Sequence, residues 1–266
     1  MKTRTPTTLA LALLALCLFS TDAEMQSTTA PRFEISFPAT AAKDALDGRL
    51  LLLISKDNKE EPRFQISEDL TTQQVFGVNV DGWKPGQAMV VDQGAFGYPR
   101  RSLTDIPAGE YWVQALLHRY ETFKRSDGHT VKLPMDRGEG QQWSRAPGNL
   151  YSTPQKIRLD GNSSKPIAIT LDKTIPPIEP PKDTKYIKHI KIQSQVLSKW
   201  WGQPIYIGAT ITLPPGYDTH PDVKYPVIYS QGHFSTGAPG GGGGGRGGGR
   251  GADAAAPTGP QPRVIW

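Results

Sequence analysis

Short apolar runs separated by turn residues recur along the chain, and no stretch shows the apolar spacing of an amphipathic helix. Runs of this length, bounded by Gly, Pro, Asp or Asn, are typical of β-strands. A high content of Gly (28 residues) and Pro (24 residues) agrees with many turns. The pattern predicts an antiparallel β-sandwich over residues 24–172. Its predicted strands are residues 49–55, 75–80, 88–92, 111–118 and 166–171, with a turn at Asp81-Gly82.

A proline-rich stretch divides the chain. Residues 173–184 contain four prolines, which makes the segment extended and semi-rigid and predicts a domain linker. Beyond it, residues 186–194 and 205–213 alternate as two strands, with residues 199–204 as a hairpin-like connection. Residues 225–229 are mostly apolar and predict a third, central strand.

A long polar segment, residues 119–153, interrupts the predicted sandwich. It is too long for a plain connector and is therefore interpreted as a binding loop or an insertion. Trp143 and Tyr151 in this segment, and Trp112 in the preceding strand, are candidates for stacking against a glycan or a protein partner. We favour the alternative, in which Trp112 belongs to the core and the other two pack the loop onto the sheet.

The N-terminus has the pattern of a secretory signal peptide. Lys2 and Arg4 precede an apolar stretch of 11 residues, 9–19, and small residues follow before Glu24. Eleven apolar residues are too few to span a bilayer. Residues 1–23 are therefore predicted to be removed on export to a bacterial periplasm or the exterior, with no stable membrane insertion of the mature chain.

Cysteine usage and charge exclude several classes of function. Cys17 is the only cysteine and lies in the predicted signal peptide, so the mature chain has no disulfide and no thiolate. Loss of Lys2, Arg4 and Asp22 lowers the formal charge from +5 to +4, a mild excess that predicts no nucleic-acid partner. No cofactor or metal is expected. The spacing of metal ligands is not found among the histidines at His118, His129, His189 and His220.

Residues 186–235 resemble the opening strands of secreted esterases of the α/β-hydrolase family. The resemblance rests on Leu213-Pro214-Pro215-Gly216-Tyr217 and on Tyr225-Pro226-Val227-Ile228-Tyr229, which match the family's Leu-Pro-x-Gly-Tyr and Tyr-Pro-Val-x-Tyr patterns. It implies a Ser nucleophile and cleavage of an ester or related acyl bond. Residues 103–115 are in turn similar to immunoglobulin-like accessory domains, in which a Pro/Gly turn precedes a buried Tyr.

The resemblance places an oxyanion-hole donor in the turn after the third predicted strand. Gly232 lets the backbone approach a substrate closely, and the N–H belongs to His233 or Phe234. The order Gly-His-Phe departs from the family's His-Gly-Gly, and His233 as a plain turn residue is an equal alternative. No Gly-x-Ser-x-Gly follows, and the glycines after Ser235 cannot begin the helix that a nucleophile requires.

The sequence therefore predicts a mainly β chain: a β-sandwich, then the first strands of an incomplete α/β-hydrolase domain over residues 185–235. Residues 236–266 are rich in Gly, Ala and Pro and are expected to be flexible. The expected function is the N-terminal part of an exported serine esterase, cut before its nucleophile, acid and base and inactive by itself. The alternative is an exported, non-catalytic β-sandwich that binds a glycan or a protein.

Overall fold

The computed structural model describes residues 30–160 and 165–230, and this part of the chain is mainly β, as predicted. One α-helix, α1 (Gln195–Trp201), and three short 3-10 helices (Pro62–Phe64, Leu103–Asp105 and Tyr217–Thr219) occur among these residues. The strands are β1 (Phe33–Ser36), β2 (Leu46–Ser55), β3 (Gln74–Trp83), β4 (Met89–Val91), β5 (Phe96–Tyr98), β6 (Gly109–Lys124), β7 (Thr130–Leu133), β8 (Leu150–Tyr151), β9 (Gln155–Leu159), β10 (Ile167–Thr170), β11 (Lys173–Thr174), β12 (Ile187–Gln193) and β13 (Tyr206–Thr212).

Two sheets share one hydrophobic core. The larger sheet has the order β11-β8-β6-β2-β3-β5, and the smaller has the order β10-β1-β4. Alternate side chains of both sheets meet in a single buried cluster, whose members include Phe33, Ile35, Leu50, Leu52, Phe76, Val113, Leu117 and Ile169. The sequence predicted an antiparallel sandwich, but one pair of strands departs from this. Strand β1 runs parallel to β10.

Strand β6 is the central element of the larger sheet. It is 16 residues long and pairs along one side with β2. Along its other side it pairs with β9, then β8, then β7. The prediction of one loop over residues 119–153 is therefore wrong for its first part, where β6 and β7 form a hairpin. The apolar pattern misses this hairpin because Phe123 is its only fully buried side chain, so backbone pairing more than burial defines it.

The predicted turn at Asp81-Gly82 is instead an irregularity within β3. The register between β2 and β3 shifts there, so that Leu46 pairs with Trp83 while Gly48 pairs with Val80. Gly82 has a positive φ of 60°, and its N–H donates to Asp47 Oδ1 at 2.7 Å. The extra residue lets β3 continue and bury the Trp83 side chain, which is 1% exposed.

The predicted linker begins too early. Lys173–Thr174 forms β11 against β8, and Ile175 is buried beside the larger sheet. The sandwich therefore extends to Ile175, because β11 pairs with β8 and completes an edge of the larger sheet. Residues 176–184 have no regular structure.

Strands β12 and β13 form an antiparallel hairpin, and α1 lies between them in place of the predicted hairpin-like connection. Ser194 caps the helix by accepting the Leu197 N–H at 3.3 Å, and Gly202 ends it in the left-handed conformation. The prediction failed because this helix is only two turns long. So few residues cannot show the apolar repeat by which a helix is recognised, although its capping residues are present.

The predicted third strand at residues 225–229 is also not observed. These residues have no regular structure, and Val227 and Tyr229 are 71% and 80% exposed. A strand requires a neighbouring edge with which to pair, and neither strand of the described hairpin pairs with this segment. An apolar run alone does not supply that edge.

Candidate functional site

The residues predicted to form the oxyanion hole, Gly232, His233 and Phe234, lie outside the described residues, as does Ser235. The same holds for the predicted signal peptide. The structure does describe the hairpin and the turn that lead to the oxyanion residues. No helix among the described residues is long and apolar enough to cross a membrane.

The β12–β13 hairpin has one polar and one apolar face. The register pairs Ile192 with Ile207 and Ile190 with Ala209, and strand alternation places Ile211 on the same side. These isoleucines are exposed; Ile192 is 59% and Ile207 54% accessible. Within residues 176–230 no hydrophobic side chain is fully buried. A two-stranded hairpin with an uncovered apolar face is only marginally stable by itself, so this unit lacks a core of its own.

The Leu-Pro-Pro-Gly-Tyr segment forms a turn directly after β13. The Leu213 N–H donates to the Tyr186 carbonyl at 2.7 Å, which ties the turn to the start of β12. Gly216 adopts φ 84°, and the Tyr217 ring lies 5.7 Å from the Tyr225 ring. The two motifs of the resemblance thus contact each other through these tyrosines.

The histidines near this turn serve local structure. His220 Nδ1 lies 3.0 Å from both the Gly216 carbonyl and Thr219 Oγ1. His189 Nδ1 lies 3.2 Å from Asp183 Oδ1, and the same carboxylate accepts the His189 backbone N–H. That backbone hydrogen bond is the main reason why the pKa of Asp183 lies below its ordinary value. Among the described residues, neither histidine is hydrogen-bonded to a serine, so neither forms part of a catalytic triad there.

Trp143 and Tyr151 come together on the outer face of the larger sheet. Both are half-buried and pack against a small cluster formed by Leu53, Leu116 and Ile175. They therefore attach the segment before β8 to the sheet, and only part of each ring remains available to a ligand. Strand alternation places Trp112, also half-buried, on this outer face and not in the main core.

Arg63 is the centre of a polar network beside these rings. Its guanidinium lies 4.3 Å from the centroids of both Phe64 and Tyr151. Its Nε donates to Glu61 Oε2 at 2.8 Å, and its Nη1 donates to the Ser144 carbonyl at 2.9 Å. These contacts hold the 3-10 helix Pro62–Phe64 and the segment around Ser144 against the same face.

Gln114 joins this network to β6. Its Nε2 donates to Glu61 Oε2 at 2.7 Å and to the Ser152 carbonyl at 2.9 Å, while its Oε1 accepts the Arg63 N–H. Burial acts to raise the pKa of Glu61, but the hydrogen bonds from Gln114 and Arg63 outweigh it and hold the pKa below its ordinary value. These hydrogen bonds favour the ionised carboxylate and use it to join neighbouring elements, which suits a structural role better than proton transfer.

Among the residues that the structure describes, His118 and the other titratable groups form no metal centre. His118 is half-buried on β6, with its ring 5.7 Å from the Tyr120 ring, and burial lowers its pKa. No group of three or more His, Cys, Asp or Glu side chains that could hold a metal ion occurs in the part of the chain described.

The α1 helix docks on the β6–β7 hairpin, a contact that the sequence analysis did not anticipate. The Trp201 ring meets the Phe123 ring edge-on at 5.3 Å, and the Arg125 guanidinium lies 5.1 Å from the Trp200 ring. The Ser126 N–H donates to the Trp200 carbonyl at 2.8 Å. The adjacent tryptophans before Gly202 were the available signal for this contact.

A scan against protein-family models, a search of curated proteins and a search of solved structures found no match to this chain.

Proposed function

We propose that this chain is part of an exported serine ester hydrolase, in which the β-sandwich is an accessory unit and residues 185–235 open the catalytic sheet. The observation that carries the proposal is the uncovered apolar face of the β12–β13 hairpin, directly followed by the Leu-Pro-Pro-Gly-Tyr turn. Sheets of α/β enzymes are covered by helices, so strands that open such a sheet expose apolar residues when their covering elements are absent.

The proposed reaction is acyl transfer to water through a serine nucleophile. A histidine removes the serine proton as the oxygen attacks the ester carbonyl, and backbone N–H groups stabilise the resulting oxyanion. The proposed donor of one of those N–H groups is His233 or Phe234, next to Gly232. The chain order of α/β-hydrolases places the nucleophile, acid and base C-terminal to these residues.

One contact supports an immunoglobulin-like accessory unit. Tyr111 is 5% exposed at the start of β6, and its hydroxyl donates to the Pro107 carbonyl at 2.9 Å. A buried tyrosine that bonds to the backbone a few residues upstream is a feature of immunoglobulin-like sandwiches. The contact agrees with the similarity seen in residues 103–115.

Sequencing the genomic DNA beyond codon 266 and expressing the complete reading frame tests the proposal. We expect a continuous frame with Gly-x-Ser-x-Gly and a later His, and a product that a fluorophosphonate probe labels and that hydrolyses p-nitrophenyl acetate. Replacement of that Ser by Ala should abolish labelling, and residues 24–266 alone should remain unlabelled. A stop codon directly after Trp266, or a complete product without labelling, would refute the proposal.

A further inference from the structure

Two exposed aromatic rings project from the edge strand β5. Phe96 pairs with Gly77 and Tyr98 with Val75, which places both rings on the outer face of the larger sheet. Phe96 is 70% and Tyr98 48% exposed. Gly97 between them faces inward, where a Cβ would lie 2.3 Å from the Phe76 ring. The strand therefore presents two aromatic rings, spaced about 7 Å along the backbone, as a platform.

An arginine is held in position next to this platform. Gly77 has no side chain, and the Arg49 guanidinium lies across it; a Cβ there would be 2.9 Å from Arg49 Nε. Arg49 Nη1 donates to Asn79 Oδ1 at 2.8 Å, and Nη2 donates to the Gly77 carbonyl at 3.3 Å. Neither acceptor is a carboxylate, so no acidic partner balances the charge of this guanidinium, and further N–H groups remain for a ligand.

Two further arginines follow the strand. Arg100 and Arg101 are exposed, and within residues 30–160 and 165–230 neither forms an ion pair. The acidic residues that are nearest in sequence use their carboxylates locally. Asp92 accepts the Gly94 N–H at 2.9 Å, and Asp105 accepts the Ser102 N–H at 3.1 Å. The two arginines therefore add positive charge at the end of β5, and neither Asp92 nor Asp105 forms an ion pair with them.

We propose that Phe96, Tyr98, Arg49, Arg100 and Arg101 form a binding site for an acidic polysaccharide, a glycan chain that carries uronate carboxylates. Exposed aromatic rings provide flat apolar surfaces on which sugar rings stack, and arginine binds a carboxylate through two parallel N–H groups. Two rings and three cations form a patch much smaller than a standard protein interface. The neighbouring aliphatic residues Leu51 and Val75 are half-buried in a separate cluster, which also favours a glycan over a protein partner.

This site lies on the β-sandwich and is distinct from Trp143 and Tyr151, which pack the segment before β8 onto the sheet. It does not depend on the esterase proposal. A complete protein without esterase activity would leave it intact, and failure of glycan binding would leave the esterase proposal intact.

Fluorescence anisotropy of labelled oligogalacturonate, titrated with the exported full chain, tests the site. The double variant Phe96→Ala/Tyr98→Ala is expected to bind at least about tenfold more weakly, since interface aromatics commonly dominate affinity. Arg100→Gln/Arg101→Gln should weaken binding and reduce its sensitivity to salt. Leu70→Ala is the matched control, because Leu70 is fully exposed but has no ring, and it should bind like the wild type. Circular dichroism confirms that each variant is folded.

Two competing probes make the result decisive. A neutral galactose oligomer should bind at least about tenfold more weakly than oligogalacturonate, because it offers no carboxylate to the arginines. Polyglutamate of equal charge should also bind more weakly, because it offers no sugar ring for stacking. The proposal is overturned by absence of oligogalacturonate binding, by equal binding of either competitor, or by wild-type affinity in the Phe96→Ala/Tyr98→Ala variant.

Discussion

Single residues decide how the outer face of the larger sheet is organised, and Arg63 is the clearest case. Its side chain is 10% exposed, lies between two aromatic rings and binds Glu61. A buried cation is stable only when a counter-charge lies beside it and its N–H donors have acceptors. The residues around Arg63 therefore have to supply both. The same residue links the Pro62–Phe64 helix with the segment around Ser144.

Replacement of Arg63 by Ala should lower the free energy of unfolding by roughly 2–3 kcal/mol, because Glu61 loses its cation and both rings lose a packing partner. Arg145→Ala is the control: that guanidinium lies 4.5 Å from the same Phe64 ring but is exposed. We expect it to cost less than about 1 kcal/mol. Urea unfolding measures both variants, and equal losses would contradict a special role for Arg63.

At the scale of elements, the contact between α1 and the β6–β7 hairpin joins the two parts of the chain. Gly202 is required there for two reasons. Its φ is 70°, and a Cβ on it would lie 2.3 Å from the Lys124 carbonyl oxygen. The close approach allows the Ser126 N–H to reach the Trp200 carbonyl.

Replacement of Gly202 by Ala should therefore separate α1 from the hairpin. We expect faster hydrogen exchange at the Ser126 amide, because its acceptor moves away. Gly216→Ala is a matched control, since Gly216 has φ 84° but its added Cβ would meet only side chains, His220 at 3.1 Å and Thr219 at 3.6 Å, and no backbone atom. Gly216→Ala should lower the free energy of unfolding by a similar amount, about 1 kcal/mol, through backbone strain alone and without displacing α1. Equal exchange rates at Ser126 in both variants would rule out the clash as the cause.

At the scale of the whole molecule, burial is distributed very unevenly. Both buried clusters lie within the β-sandwich, which extends to Ile175. Within residues 176–230, the hairpin and α1 bury no hydrophobic side chain fully. Because burial of apolar surface is the dominant source of stability, the first part has a core and the second depends on contacts with other elements.

Residues 24–184, expressed alone, should unfold in one cooperative transition with a midpoint close to that of the full chain. Residues 185–230, expressed alone, should show no cooperative transition, since a lone hairpin is marginally stable in water. Differential scanning calorimetry of the two pieces and of the full chain makes the comparison. A cooperative transition in the second piece would show that it has a core of its own.

Much of the fold was predictable from local patterns. The apolar runs of β2, β3, β4, β6, β10, β12 and β13 identified these strands because each places alternate or continuous apolar residues in a core or on one face. The candidate binding residues were harder to predict from the sequence. Trp143 and Tyr151 were identified as aromatic residues in a long polar segment, but only the structure shows that both pack on one hydrophobic cluster and that Tyr151 also lies beside Arg63. Phe96 and Tyr98 lie in a strand of three residues, too short to show a period.

The sequence by itself determined the mainly β character, the proline-rich division of the chain and the motifs that resemble an esterase, because these depend on residue type and near-neighbour spacing. Only the tertiary structure decided that β1 pairs in parallel with β10, that Asp81-Gly82 continues a strand, and that α1 docks on a distant hairpin. It also decided that residues 225–229 do not form a strand beside β12 or β13. The physical reason is that pairing and burial depend on partners far along the chain, which no local pattern identifies.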